Sequence, residues 1–425
     1  MITTILHLCV LTLNTTVKSI LSSSIKSIVG WSSQVNFDSV IVRFGGEIGI
    51  KGKWTRRTYE KLLLKNMKRV LKHYGISHGK IIHKSGRIYI KTKNAHETAT
   101  ELTRVFGVSS VSPAVETTAE MSEVVQKASE LAKEILKSGN SFAVRCHRVG
   151  KHSYSSMDVC KEAGKQILTN LKNRNLKVDL TNPQFTVAVE VRDDYAYVYT
   201  ETLHGVDGFP LGSQPKAICL LSGGIDSPVA CWLVMKRGCP TTPVYFDIAP
   251  FTDEAATAKA LDVARKLFEW SIGFPGKIYV VPHGKNLETF VNESPRKLTC
   301  ILCKRMMYRI AERIAETEKA EGIITGESIG EQASQTLHNL RVLNEAATKY
   351  PVHRPLLGFN KLETEKLAKK IGTFEISTRK TEGCSAVPKR PATKARLEMV
   401  KKAEEELDID GMIEESVREA KIVMV

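Results

Sequence analysis

The chain has little of what marks membrane, secreted or repetitive proteins. Its 425 residues contain no run of about 18 uninterrupted apolar residues, so no membrane-spanning helix is expected. Nine cysteines, an odd number spread thinly along the chain, do not form the dense framework of a secreted disulfide scaffold. They fit a reducing cytoplasm, where most would pack as small hydrophobes. There is no internal repeat, no low-complexity tract and no G-x-x-x-x-G-K-[ST] loop, which argues against a γ-phosphate-transferring P-loop enzyme. Acidic residues are also scarce: 46 Asp and Glu face 62 Lys and Arg, leaving a net charge of +16.

That excess is local. Residues 51–100 hold 14 basic and 2 acidic side chains, and residues 351–400 hold 11 and 5. Residues 401–425 reverse the sign, with 4 basic against 8 acidic. A surplus so concentrated points to a polyanion, most commonly nucleic acid, although charge alone equally describes a solvated helix face.

Residues 1–34 carry no acidic side chain, and Ile5–Leu13 is apolar, but no basic residue precedes that run and no small-residue cleavage site follows it. They read as an extension ahead of a fold that begins near Val35. A strand at 39–44, a Gly-rich turn, a basic helix from Trp54 to His73, a strand at 87–92 and a helix near 95–105 suit a small ferredoxin-like unit over 35–106. A second α+β unit runs from 107 to 206 and ends in the Gly/Pro-rich HGVDGFPLGSQP. From there, over 207–425, strands and helices alternate, which predicts a parallel sheet wrapped by helices.

The most informative segment is AICLLSGGIDSPVA, residues 217–230. An apolar strand runs into Ser222-Gly223-Gly224-Ile225-Asp226-Ser227, and a helix follows with Pro228 in its first turn. Paired glycines let backbone approach an anion, and the helix start offers free N–H groups and partial positive charge. Ser222 and Ser227 add hydroxyls, and Asp226 is suited to hold Mg2+ against phosphates.

Downstream, Cys300-Ile-Leu-Cys303 precedes a helix predicted over 304–319. Two thiolates at i and i+3 suit one metal centre or a redox pair. No second Cys-x-x-Cys accompanies them, so a four-cysteine zinc site is unsupported. Cys384 lies in TEGCSAVPKRP, a basic segment that favours a thiolate.

The string SGGIDS resembles the signature of the PP-loop ATP pyrophosphatases, which cleave ATP between its α- and β-phosphates. Within that superfamily, TGESIGEQASQT (325–336), RPLLGFNKLETEKLAKKIGTFEIS (354–377) and CKRMMYRIAERIA (303–315) resemble the tRNA 4-thiouridine synthetases, of the archaeal type without a rhodanese domain. The resemblance implies an N-terminal ferredoxin-like domain, a THUMP RNA-binding domain and a Rossmann-like PP-loop domain. It implies an enzyme that adenylates a uridine O4, at position 8 of tRNA, and replaces it with sulfur. ATP and Mg2+ would contact Ser222, Gly223, Gly224, Asp226 and Ser227, and Leu220, Leu221, Tyr245, Phe246, Lys304, Gly326 and Gln335 match further nucleotide positions. Taken without the resemblance, Lys304 is a surface helix residue and Tyr245–Phe246 is core packing.

By the same resemblance Cys300, Cys303 and Cys384 would hold a [4Fe-4S] cluster with one iron open to sulfide. A persulfide on Cys384, resolved by Cys300 or Cys303, is the competing route. The chain ends about 40 residues after Cys384, without room for a rhodanese domain, so sulfide or a separate carrier is expected to supply sulfur. The surplus at 51–100 then becomes a tRNA-backbone surface built from Lys51, Lys53, Arg56, Arg57, Lys61 and Lys65, extended by Lys68 and Arg69. A 2-thiouridine synthetase and a tRNA-binding protein with an idle ATP site stay open, as do a role in thiamine synthesis and assembly as a homodimer.

Overall fold

A computed structural model describes residues 35–84 and 86–425, so the extension at 1–34 lies outside the described residues. The ferredoxin-like unit has β1 (Ser39–Phe44), α1 (Lys53–His73), the hairpin β2 (Ile81–Lys84) and β3 (Arg87–Lys91), and α2 (Ala95–Leu102). One face of α1 buries Tyr59, Leu63, Met67, Val70 and Leu71, at the spacing an amphipathic helix requires.

The next strand, β4 (Val108–Thr118), has a run of Ser and Thr that hides its strand character in the sequence. Its first half pairs antiparallel with β1 and its second half with β8 (Tyr195–Tyr199). The second unit adds α3 (Met121–Ile135), β5 (Ser141–Val149), α4 (Ser156–Asn170), β6 (Lys177–Val178), β7 (Phe185–Arg192) and the short β9 (Leu203–His204). The two units therefore share one sheet, in the order β2-β3-β1-β4-β8-β7-β5-β6 with β9 on β4.

This sheet curls enough for Tyr89 of β3 and Tyr197 of β8 to stack, ring centroids 4.4 Å apart. Inside the curl the buried Glu190 accepts from Arg43 at 3.0 Å, Arg87 at 3.1 Å and Arg192 at 2.7 Å. Burial alone would raise the Glu190 carboxyl, but Arg43, Arg192 and Arg87 outweigh it and hold it below the usual carboxylate range.

The third unit contains β10 (Ala217–Leu220), α5 (Asp226–Lys236), β11 (Thr241–Asp247), α6 (Glu254–Phe268), β12 (Lys277–Pro282), α7 (Gly284–Glu293) and α8 (Thr299–Glu318). It continues with β13 (Ile323–Ile324), α9 (Leu337–Asn344), β14 (Val352–His353), α10 (Lys361–Ile371), α11 (Leu397–Glu405), α12 (Ile409–Glu419) and β15 (Lys421–Met424). Its sheet order is β14-β13-β10-β11-β12-β15. The strands β14 through β12 run parallel as expected, whereas β15 closes one edge antiparallel to β12. From β10 the chain proceeds outward through β11 and β12, then returns to β13 on the opposite side. That reversal opens a crevice at the carboxyl ends of β10 and β13.

Two local readings change. The helix predicted from 304 begins at Thr299 after a 3-10 turn at Arg296–Leu298, so Cys300 and Cys303 lie within its first turns and not ahead of it. Cys219 and Cys231, expected to be simple packing residues, are buried and joined by a disulfide between β10 and α5.

Candidate nucleotide and sulfur site

The loop after β10 folds around its two serines. Ser222 N donates to Ser227 Oγ at 2.8 Å, the two hydroxyls lie 3.0 Å apart, and Gly224 N reaches Ser222 Oγ at 3.2 Å. Gly223 and Gly224 thus bring the backbone around the start of α5 at the mouth of the crevice. A Cβ on Gly223 would come within 2.7 Å of Lys259 Cε, so the Lys259 stem lies across the loop. Gly326, two residues past β13, is held as glycine by a close backbone approach. A Cβ there would sit 2.6 Å from Ser227 N, so β13 passes directly against the start of α5.

Asp226 is engaged by Lys361 Nζ at 3.1 and 3.3 Å, and the same ammonium reaches Glu331 at 3.5 Å. Burial lowers the Lys361 ammonium's pKa, but Asp226 and Glu331 more than restore it, and the net shift is upward. Sequence reading missed Lys361. Its local signal is only the Asn360–Glu363 capping box at the start of α10. Two carboxylates sharing one ammonium form a hard oxygen set, the donor chemistry that Mg2+ takes.

Lys304 is not a surface residue; its ammonium binds the buried Glu327 at 3.0 Å. Glu327 also accepts from Tyr308 at 2.6 Å, Arg354 at 2.8 Å and Thr325 at 3.1 Å. Burial raises this carboxyl, and Lys304, Tyr308 and Arg354 pull it below the ordinary range. Gln335 is buried with its Oε1 unpartnered, as a group awaiting a donor would be. Leu220 is half-buried and Leu221 buried, and Leu221 N still bonds Val244 O at 2.9 Å. Tyr245 is buried with its hydroxyl 3.3 Å from Thr257 Oγ1, and Phe246 packs edge-on against His283 at 5.4 Å.

Cys384 comes near Cys300 and Cys303, although 80 residues lie between Cys303 and Cys384 in the chain. Burial pushes the Cys300 thiol up, and Cys384 adds to the shift. Burial likewise raises Cys303 well above the ordinary thiol range, with further contributions from Cys384 and Cys300. The Cys384 loop is tied beyond β11 by Ser385 N to Phe251 O at 2.9 Å and Thr252 Oγ1 to Glu382 O at 2.9 Å. Arg379, two residues ahead of the TEGCSAVPKRP segment, pairs with Asp262 at 2.6 Å. His283, fully buried after β12, places Nε2 3.3 Å from Cys303 Sγ, and burial lowers its pKa to about 4. Among the described residues no three His, Cys, Asp or Glu are arranged to hold a single metal ion. Cys300, Cys303 and Cys384 are soft sulfur donors, the residue type that an iron–sulfur cluster takes.

The nucleotide loop and the cysteine loop are joined directly. Ser377 Oγ donates to Gly224 O at 3.2 Å, and Lys259 Nζ donates to the carbonyls of Ser377 at 3.4 Å and Arg379 at 3.0 Å.

In the first unit, Lys51, Lys53, Arg56, Arg57 and Lys84 line an open groove of about 480 Å3. Arg56 is partly neutralised by Glu60 at 2.8 Å. Lys61, Lys65 and Lys68 remain exposed along the following turns of α1. Arg69 does not belong to this surface: its guanidinium covers Phe274 of the third unit at 5.1 Å.

A family model described as thiamine biosynthesis protein ThiI matches residues 212–409, a THUMP domain model matches 118–201, and a ThiI ferredoxin-like domain model matches 39–112. A probable tRNA sulfurtransferase of Methanosarcina mazei is 42% identical over 394 residues, 92% of this chain and 96% of that protein. The chain belongs to the tRNA sulfurtransferase family. Another member, from Methanothermobacter thermautotrophicus, is 38% identical over 90% of this chain and 97% of its own length. The crystal structure of a 4-thiouridine synthetase–RNA complex with bound ATP superposes with a TM-score of 0.82 at 35% identity, covering 92% of this chain and all of that one. PH1313 from Pyrococcus horikoshii gives 0.63 at 27% identity, covering 79% and 99%. The family's ferredoxin-like, THUMP and PP-loop architecture is the one described above. No helix among the described residues is long and apolar enough to cross a membrane.

Proposed function

We propose that this sulfurtransferase-family chain adenylates a tRNA uridine at O4, at position 8 by resemblance to the family, and replaces that oxygen with sulfur to give 4-thiouridine. The observation that carries the reading is the direct link between the two loops. Ser377 and Lys259 tie the Gly223–Gly224 turn to the segment leading to Cys384, so activation and sulfur delivery share one crevice.

ATP lies with its phosphates on Ser222, Gly223, Gly224 and Ser227 and its base toward Leu220, Leu221, Tyr245, Phe246 and the free Oε1 of Gln335. The N–H groups at the start of α5 face the charge that grows on the leaving pyrophosphate. Lys304 is held by Glu327 at the crevice wall, and Lys361 spans Asp226 and Glu331. Mg2+, when bound between those carboxylates, supplies further neutralisation of the phosphates.

Uracil O4 attacks the α-phosphorus, the α–β bridging bond breaks, and pyrophosphate leaves. The adenylated oxygen is then a good leaving group. A sulfur nucleophile, from sulfide or a separate carrier, attacks C4, and AMP departs with the original oxygen. Cys300, Cys303 and Cys384 hold the sulfur centre. These three thiols would be the residues to hold an iron–sulfur cluster, which would supply sulfide-binding chemistry when bound. The groove beside α1 takes tRNA phosphates, and the enzyme acts in the cytoplasm.

The test is an anaerobic reaction of the full chain with tRNA, ATP, Mg2+ and sulfide, followed by nucleoside mass spectrometry. 4-Thiouridine is the expected product; 2-thiouridine, or no thiolated base, overturns the reading. Asp226→Ala should abolish tRNA-dependent pyrophosphate release while tRNA binding persists.

A further inference from the structure

We propose that His283 is a positioning residue for the sulfur centre, donating its Nε2–H to Cys303 Sγ in a tautomer held by Asn286. The inference rests on the reading of Cys303 as part of that centre. The ring has little freedom. His283 N donates to Asp247 O at 2.7 Å, its carbonyl accepts from Leu287 N at 3.0 Å at the start of α7, and Phe246 packs edge-on against the imidazole at 5.4 Å. The orientation places Nε2 3.3 Å from Cys303 Sγ.

The second nitrogen decides which way the proton lies. Nδ1 is 3.2 Å from Asn286 Nδ2, and that amide nitrogen also donates to Ser416 Oγ of α12 at 2.8 Å. An amide NH2 has hydrogens and no accepting lone pair, so with the Asn286 amide in this orientation Nδ1 accepts and Nε2 carries the hydrogen. That hydrogen meets a sulfur. A thiolate, whether metal-bound or free, accepts it far better than a protonated thiol does. The chain Ser416–Asn286–His283–Cys303 therefore connects the C-terminal helix to one thiol of the three and fixes the direction from which that sulfur is met. The opposite orientation of the Asn286 amide would reverse every donor, making Cys303 the donor to His283, so the tautomer is the quantity to measure.

The full chain, prepared with 15N-labelled histidine, reduced and free of metal, should show His283 as the neutral Nε2–H tautomer in long-range 1H–15N correlation spectra. His283→Gln assigns the signal. Asn286→Asp, whose carboxylate can only accept, should convert it to Nδ1–H. An Nδ1–H tautomer in the unmodified protein overturns the proposal. In turnover, Asn286→Asp and His283→Phe should lower the ratio of 4-thiouridine formed to pyrophosphate released about tenfold, with His283→Gln recovering part of it. A ratio unchanged in all three variants also overturns it. Should His283→Phe fail to fold, the near-isosteric Asn286→Asp carries the test. Failure of the parent reading is separately visible, because the unmodified enzyme would then make no 4-thiouridine whatever its tautomer.

Discussion

Glu190 and Glu327 are two buried carboxylates solved by the same physics and put to different ends. Glu190 lies inside the curled sheet where the first two units meet, among three guanidiniums, two from β1 and β3 and one from its own strand. Its partners are all permanently charged and share the one carboxylate, so the cluster fastens the two units. Glu327 lies three residues beyond β13, beside the loop after β10, and its partners are mixed: an ammonium, a guanidinium, a phenol and a hydroxyl. One of them, Lys304, is a compact point charge on a flexible stem, able to exchange a carboxylate for a phosphate. On the proposed reading, what distinguishes the second cluster is its place in the topology, the carboxyl end of parallel strands at the point of reversal.

That contrast can be broken from either side. Glu190→Gln should have the larger effect on stability, about 3–5 kcal/mol, because three guanidiniums lose their shared anion in a buried site. Differential scanning calorimetry should place the loss in the N-terminal units, and tRNA binding should weaken while ATP binding persists. Glu327→Gln should cost less, about 1–3 kcal/mol, since Tyr308 and Thr325 can still bond an amide. It should nevertheless reduce pyrophosphate release more than Glu190→Gln does. Equal effects of the two variants on pyrophosphate release would dissolve the distinction.

Acid sharpens the comparison further. Both carboxyls are held below the reference value of 4.5 in the folded protein. Each therefore stabilises the fold above that value, and the contribution is lost as pH falls through the lowered folded value. The stability gap between unmodified protein and Glu190→Gln should be full near neutrality and shrink progressively below about pH 4.5 in urea titrations. A gap that widened on acidification would contradict the charge assignment. The smallest effect is expected at the surface. Lys53→Ala or Arg57→Ala should each lower the magnitude of the log–log salt slope of tRNA binding by about 0.7–0.9, as for one lost phosphate contact.

How much of this could be read beforehand varied with how local the cause was. The turn after β10 was legible because an apolar strand, two glycines and a helix start are neighbours in sequence. The ladder of β4 was not, because buried positions such as Ser110 and Ser112 carry hydroxyls where apolar side chains would mark a strand. The i, i+3 spacing announced Cys300 and Cys303 as a pair, yet not that they ride on α8, since the 3-10 turn at 296–298 carries no strong starting signal. His283 belongs to no motif, and Lys361, although inside the segment 354–377, has nothing in its neighbours to single it out from the other lysines there. Each owes its role to a partner 20 and 135 residues away, respectively.

The sequence by itself determined the alternation of elements, the anion-binding turn, the three thiols and the concentration of positive charge, all of which follow from residue type and short-range spacing. Tertiary structure decided what those groups face. Sheet order brought Gly326 against Ser227, Lys361 against Asp226, and the Cys384 loop against the start of α8. Packing withdrew Arg69 from the basic surface to cover Phe274 and turned Lys304 inward to Glu327. Charge and reactivity are properties of side chains. Which charge is compensated, and which thiol meets which donor, depends on distances of a few ångströms between segments that only the folded sheet brings together.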